Sequence, residues 1–165
     1  MKVKKQQDFR FDAYAEKDRG EFTEMVFALY DEDPTGMPIT EDKIIKTINE
    51  SVCGSEKVQI VMIRNGVENI GYGIITFSWS NEYGGIVVNI DELYIKKGFR
   101  NNNAGSGFIE HLQDTYKNAA MLTLEVTPEN KDALRLYNRL GFEVSGNTHL
   151  LRVYTPGSQY FSNNF

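Results

Sequence analysis

The sequence predicts a mixed α/β fold, a mostly antiparallel central sheet flanked by helices. Short β-branched or alternating runs mark strands, and apolar residues recurring at spacings of three and four mark helices. Their order is strand, helix, helix, three strands, helix, strand, helix, strand. Strands joined by turn residues pair antiparallel, whereas the strand–helix–strand segments of the second half require crossovers and partly parallel pairing.

Residues 9–15 (FRFDAYA) alternate apolar and polar side chains, as in a strand with one buried face. Phe22, Met25, Val26, Leu29 and Tyr30 then form a helical stripe, which the run Asp31-Glu32-Asp33-Pro34-Thr35-Gly36 ends. Thr40 precedes Glu41, Asp42 and the stripe Ile44, Ile45 and Ile48, an N-cap with acidic residues in the first turn. Residues 58–64, 70–79 and 86–95 read as strands of an antiparallel meander, with Asn65-Gly66 and Gly84-Gly85 in the turns. Phe108, Ile109 and Leu112 mark a third helix, residues 121–126 a strand, and residues 130–140 a helix stopped by Gly141. A last strand is expected over 149–154, followed by a polar tail over 156–165 that carries three aromatics.

The 165 residues suit one domain over 1–165, and no linker or repeat divides them. With 41% hydrophobic and 25% charged residues, the composition is that of a soluble globular protein. The single Cys53 allows no internal disulfide, and with only His111 and His149 it builds no zinc site, so no metal is expected. No apolar run approaches the roughly 20 residues of a membrane span, and no signal segment opens the chain. A cytoplasmic location is expected. A net charge of −5 argues against nucleic-acid binding and for a neutral or cationic substrate.

After residue 95 a strand runs through Lys96, Lys97, Gly98, Phe99, Arg100, Asn101, Asn102, Asn103, Ala104, Gly105, Ser106 and Gly107 into a helix. Such a loop aims backbone N–H groups at one point, to which the helix N-terminus adds about half a positive charge. Arg100 adds a permanent cation, and Gly105 and Gly107 spare an approaching phosphate any Cβ. The site suits a pyrophosphate, although an ordinary loop before a helix has the same composition. Neither a Gly-Lys-Ser/Thr run nor three-glycine dinucleotide spacing is present.

This region resembles the GNAT superfamily, the Gcn5-related N-acetyltransferases. Glu92-Leu93-Tyr94-Ile95 matches the family's acidic-Leu-Tyr-Val strand, and Arg100 with Gly105 matches its Arg/Gln-x-x-Gly-x-Gly/Ala loop. Asn130, Ala133, Leu136, Tyr137, Gly141 and Phe142 stand in the register of its second cofactor segment. The resemblance covers about residues 58–146. Asn103 replaces the loop's first glycine, and Asn is the non-glycine residue that best tolerates left-handed angles.

The resemblance implies acetyl transfer from acetyl-CoA to a primary amine by direct attack in a ternary complex. It assigns the pantetheine arm and thioester carbonyl to the backbone of Leu93, Tyr94 and Ile95, the pyrophosphate to residues 100–106, and a further cofactor contact to Asn130 and Ala133. Tyr137 becomes the acid that protonates the leaving thiolate, though helical tyrosines are more often packing residues. For the base, Asp91 and Glu92 point to opposite faces of a regular strand, Asp91 sharing a face with Asn89, Leu93 and Ile95. Asp91 is preferred, through water, with Glu92 the alternative; both also read as solvated strand residues. Tyr30, Asp31, Glu32, Asp33 and Trp79 are the candidates for the acceptor site, where the carboxylates could attract a small cationic amine, although such a run is more often a solvated helix end and Tyr30 reads equally as core packing. Phe77 and Tyr83 are further aromatics of that kind. Alternatives are a protein lysine or N-terminal acetyltransferase and a non-catalytic acyl-CoA-binding or regulatory domain. A homodimer is compatible with the family.

Overall fold

The computed structural model describes residues 9–32, 37–147 and 150. Five strands, β1 (Phe9–Ala13), β2 (Val58–Asn65), β3 (Glu68–Ser80), β4 (Gly85–Ile95) and β5 (Met121–Leu124), form one sheet in chain order. The helices are α1 (Arg19–Glu32), α2 (Glu41–Val52), α3 (Ala104–Thr115) and α4 (Lys131–Arg139). The element order matches the sequence expectation through α4; the expected strand over 149–154 and the tail lie outside the described residues. Helix α1 starts three residues before its apolar stripe, behind a 3₁₀ turn at Glu16–Asp18. Thr40 caps α2, its hydroxyl accepting from the Lys43 N–H.

Strands β1 to β4 are antiparallel, and β5 joins β4 in parallel after the α3 crossover. Gly66 and Gly84 take positive φ in the two connecting turns, where a glycine costs no steric strain. Ile60, Met62, Tyr72 and Tyr94 pack on one face under α1 and α2. Ile63, Ile75, Val88 and Ile90 pack on the other face under α3. Among the described residues no helix is long and apolar enough to cross a membrane.

Two irregularities interrupt the ladders. In β3 the register slips at Ile70, since Ile63 of β2 pairs with Gly71 while Arg64 pairs with Asn69, and in β4 it slips at Asp91, since Ile75 pairs with Ile90 while Ile74 pairs with Glu92. Asp91 is thus an extra residue in β4, a β-bulge that exchanges the faces of all that follows. Asn89 lies on the α1 face with Thr76, whereas Leu93 and Ile95 join the α3 cluster. The expectation that Asn89, Leu93 and Ile95 share a face with Asp91 is corrected by this slip.

Helix α1 is fixed to the sheet at its start by a buried polar network. The Arg64 guanidinium donates to both oxygens of Asp18 at 3.0 Å, to Asp12 at 2.8 Å and to Asn69. Asp18 and Arg64 are both buried, so each needs the other to offset desolvation. Helix α3 lies close over the sheet because Gly73 leaves room for Phe108. A Cβ on Gly73 would collide with the Cζ edge of the Phe108 ring, 2.7 Å from its Cε1, and that ring is fully buried. Gly73→Ala is therefore expected to cost about 1–3 kcal/mol, read as a lower urea midpoint at unchanged slope. An unshifted midpoint would contradict this close approach.

Candidate active site

Pairing between β4 and β5 spans Val87–Ile90 against Met121–Leu124 and ends there. From Asp91 to Ile95 the β5-side edge of β4 has no strand partner among the described residues. This free edge leads through the 3₁₀ turn Lys97–Phe99 to the N-terminus of α3. The end of β4–β5 pairing and the helix end thus lie on one stretch of chain.

Asn103 is the N-cap of α3 and adopts a left-handed conformation with φ 68°, as Asn101 does with φ 62°. The turn that the family builds with glycine therefore persists with Asn. The Asn103 side chain makes no capping bond. The first intrahelical bond runs from the Gly107 N–H to the Asn103 carbonyl at 2.8 Å, so the N–H groups of Ala104, Gly105 and Ser106 precede the helical ladder. A Cβ on Gly105 would meet only Leu136 Cδ2, at 3.5 Å, so internal packing does not demand this glycine. Gly107 differs from expectation. Its amide is spent on the helix, and a Cβ there would face Phe11 at 3.5 Å, so it belongs to the packing against β1.

Helix α4 stands beside this end of α3. Arg139 donates to the Ser106 hydroxyl at 3.1 Å, bringing a second cation to the helix N-terminus that sequence reading did not single out. Its spacing of three from Leu136, which lies against Gly105, puts it on the helix face toward α3, and that spacing was the available signal. The Asn130 side chain accepts from the Ala133 N–H and caps α4. Tyr137 is half-buried on the α3 side, its ring 5.8 Å from that of Phe142. Burial raises its pKa, so the hydroxyl keeps its proton at neutral pH. Arg100 is exposed beside the α3 loop, and Asn101 and Asn102 are exposed within it, whereas Ala104 is buried in the α3 core.

On the α1 face, Glu92 is held by two hydroxyls. Tyr30 donates to its Oε1 at 2.9 Å and Tyr72 to its Oε2 at 2.7 Å. Burial raises the Glu92 pKa, the bonds from Tyr72 and Tyr30 lower it, and the charge of Asp91 raises it. Both tyrosines titrate well above their usual range, first through burial and then through the Glu92 charge. Asp91, turned out at the bulge, has its pKa raised by desolvation and then by Glu125, just past the end of β5. Tyr72 was not among the sequence candidates, because only strand pairing brings it opposite Tyr94 and beside Glu92.

Of the acceptor candidates, Tyr30 reaches Glu92, and Glu32 binds Arg100 at 2.7 Å. Asp31 is exposed at the end of α1, and Asp33 lies outside the described residues. Trp79 is exposed and pairs with Ile86, at the end of β3 remote from Ile74 and Glu92. Phe77 packs on Tyr116 of the α3 side, so the sheet separates it from Tyr30. A groove of about 410 Å³ lies elsewhere, near the β1 edge, and includes Phe11, Gln59, His111 and Tyr116. It contains none of the candidates.

The chain belongs to the acetyltransferase (GNAT) family, whose model matches residues 9–142. That match includes the first strand and helices, beyond the segment on which the sequence resemblance rested. The chain is similar in structure to a possible acetyltransferase from Clostridium difficile 630, with TM-score 0.75, 16% identity, and 89% of this chain and 99% of that one covered. It is similar to AAC(6')-Iy solved with the bisubstrate analogue CoA-S-monomethyl-acetylneamine, with TM-score 0.71, 16% identity, and coverage of 90% and 99%. A third similar structure is ribosomal-protein-alanine N-acetyltransferase from Brucella melitensis biovar Abortus 2308, with TM-score 0.70, 16% identity, and coverage of 88% and 100%. No curated protein sequence gave a match.

The two tyrosine bonds stabilise the charged form of Glu92. Tyr72→Phe removes one of them and is expected to move the Glu92 titration to higher pH, followed by carboxyl-carbon NMR. A titration that stays in place or falls would show that Tyr72 does not hold this carboxylate.

Proposed function

We propose that this chain is an N-acetyltransferase that moves the acetyl group of acetyl-CoA to a primary amine, a small cationic one, by direct attack within a ternary complex. The observation that carries the reading is the end of β4–β5 pairing at Ile90 and Leu124, immediately upstream of the uncommitted N–H groups of α3. The similar structure with a CoA-linked aminoglycoside analogue adds support from the same fold.

Acetyl-CoA supplies an activated thioester. The N–H groups of Ala104, Gly105 and Ser106, with Arg100 and Arg139 beside them, hold its diphosphate. The free backbone edge at Leu93, Tyr94 and Ile95 takes the pantetheine arm as an added strand and polarises the carbonyl as it gains negative charge. Asn130 and Ala133, at the start of α4, line the cofactor further along. Asp91, through water, takes the proton that the ammonium must lose, and its raised pKa brings it nearer to neutral pH than an ordinary Asp. The amine nitrogen bonds to the carbonyl carbon, the carbon–sulfur bond breaks, Tyr137 gives its proton to the departing thiolate, and the second proton shed by the nitrogen as it becomes an amide passes through water to the Tyr137 phenolate. Glu92, fastened by Tyr30 and Tyr72, fixes the floor of the acceptor side. Asp91, Glu92, Glu32 and Asp31 together favour a cation there.

Thiol release from acetyl-CoA, measured over a panel of primary amines, tests this reading. Turnover is expected with polycationic amines. Tyr137→Phe should lower kcat about a hundredfold and leave CoA affinity unchanged. Asp91→Asn should remove the acidic limb of the kcat/KM profile, and loss of that limb in Glu92→Gln alone would transfer the role to Glu92. Tight CoA binding without release for any amine or peptide would make the chain a binding domain instead.

A further inference from the structure

Arg100 is already engaged on three sides. Its Nε donates to the Ile95 carbonyl at 2.8 Å, its Nη2 to Glu32 at 2.7 Å, and its guanidinium lies 5.5 Å from the centre of the Tyr94 ring. Tyr94 is buried on the α1 face, so the cation rests on a fixed platform. Lys97 stands 3.7 Å from the other Glu32 oxygen.

Glu32 has no local reason to sit where it does. It is the last residue of α1, whose final turn contains no basic residue. The carbonyl end of a helix disfavours a carboxylate. The compensating cations come from the loop after β4, far away in sequence. A pair of this kind, with side-chain exposures of 38% for Arg100 and 25% for Glu32, contributes little to stability and exchanges readily.

We infer that Glu32 is an internal counter-anion of Arg100, exchanged for the diphosphate when the donor binds, and that the exchange couples the donor cleft to the acceptor side. This rests on the acetyl-CoA reading above. With no donor, Glu32 holds the guanidinium toward α1. The diphosphate, carrying more charge in the same fork geometry, takes Arg100 over the N-terminus of α3. Glu32 is then released near the Tyr94 ring, on the sheet face that also carries Glu92, and offers its carboxylate to the acceptor's ammonium. By linkage, a bound cationic amine strengthens donor binding by the same factor. Donor first and amine second becomes the favoured order.

A double-mutant cycle on CoA affinity, measured by calorimetry, tests the exchange. Glu32→Gln is expected to tighten CoA about three- to tenfold, and Arg100→Gln to weaken it. In the Arg100→Gln background, Glu32→Gln should leave the affinity unchanged. If the same tightening persisted without Arg100, Glu32 would act only as a nearby negative charge, and the exchange would be wrong. Absence of tightening in the single variant would overturn it as well. On the unmodified protein, the Arg100 Nε–H resonance should move on addition of inorganic pyrophosphate, and a static resonance contradicts the proposal. A wild-type chain that takes up no CoA is a separate result, which overturns the acetyl-CoA reading and this coupling together.

Discussion

The site depends on one extra residue in β4. Without the bulge at Asp91, Glu92 and Tyr94 would face α3, and Leu93 and Ile95 would face α1. The slip places Glu92 under the hydroxyls of Tyr30 and Tyr72 and gives Arg100 a buried aromatic platform. It also occurs where β5 pairing ends, and bulges increase the local twist of a strand. Face exchange, carboxylate placement and the end of β5 pairing therefore fall within a few residues of one another.

Helix α1 acts as the second fixed reference. Its start is tied by the Arg64–Asp18 pair, and its last turn by Tyr30 to Glu92 and by Glu32 to Arg100. The two ends differ in kind. The buried pair at the start is costly to break, since an unpaired charge would remain in the interior. At the far end the Glu32–Arg100 pair is partly solvated and contributes little to stability.

Much of this was legible in the sequence, where local rules decide. The element order through α4, the Thr40 cap and the glycine turns follow from periodicity and from the conformational freedom of particular residues. The left-handed Asn103 belongs to the same class, because the tolerance of Asn is a property of one residue. The bulge went unread although the sequence carries a trace of it: apolar residues stand at Ile86, Val88 and Ile90 and then at Leu93 and Ile95, a change of phase at Asp91-Glu92 that the assumption of a regular strand passes over and the pairing with β3 makes plain. Tyr72 on Glu92, Arg139 on Ser106 and Arg64 on Asp18 were hidden for a different reason, being meetings across 20, 33 and 46 residues of chain. Gly107 was misread because the direction of its missing Cβ depends on how β1 packs against α3.

The central claim is that the free edge of β4 and the N-terminus of α3 form one cofactor cleft. Titration of the nitrogen-15-labelled chain with CoA, followed through backbone amide resonances, tests it most directly. The amides of Asp91–Ile95 and of Ala104–Ser106 should shift together along one binding curve. Shifts confined to the groove around Phe11 and His111, or shifts in one segment without the other, would contradict it.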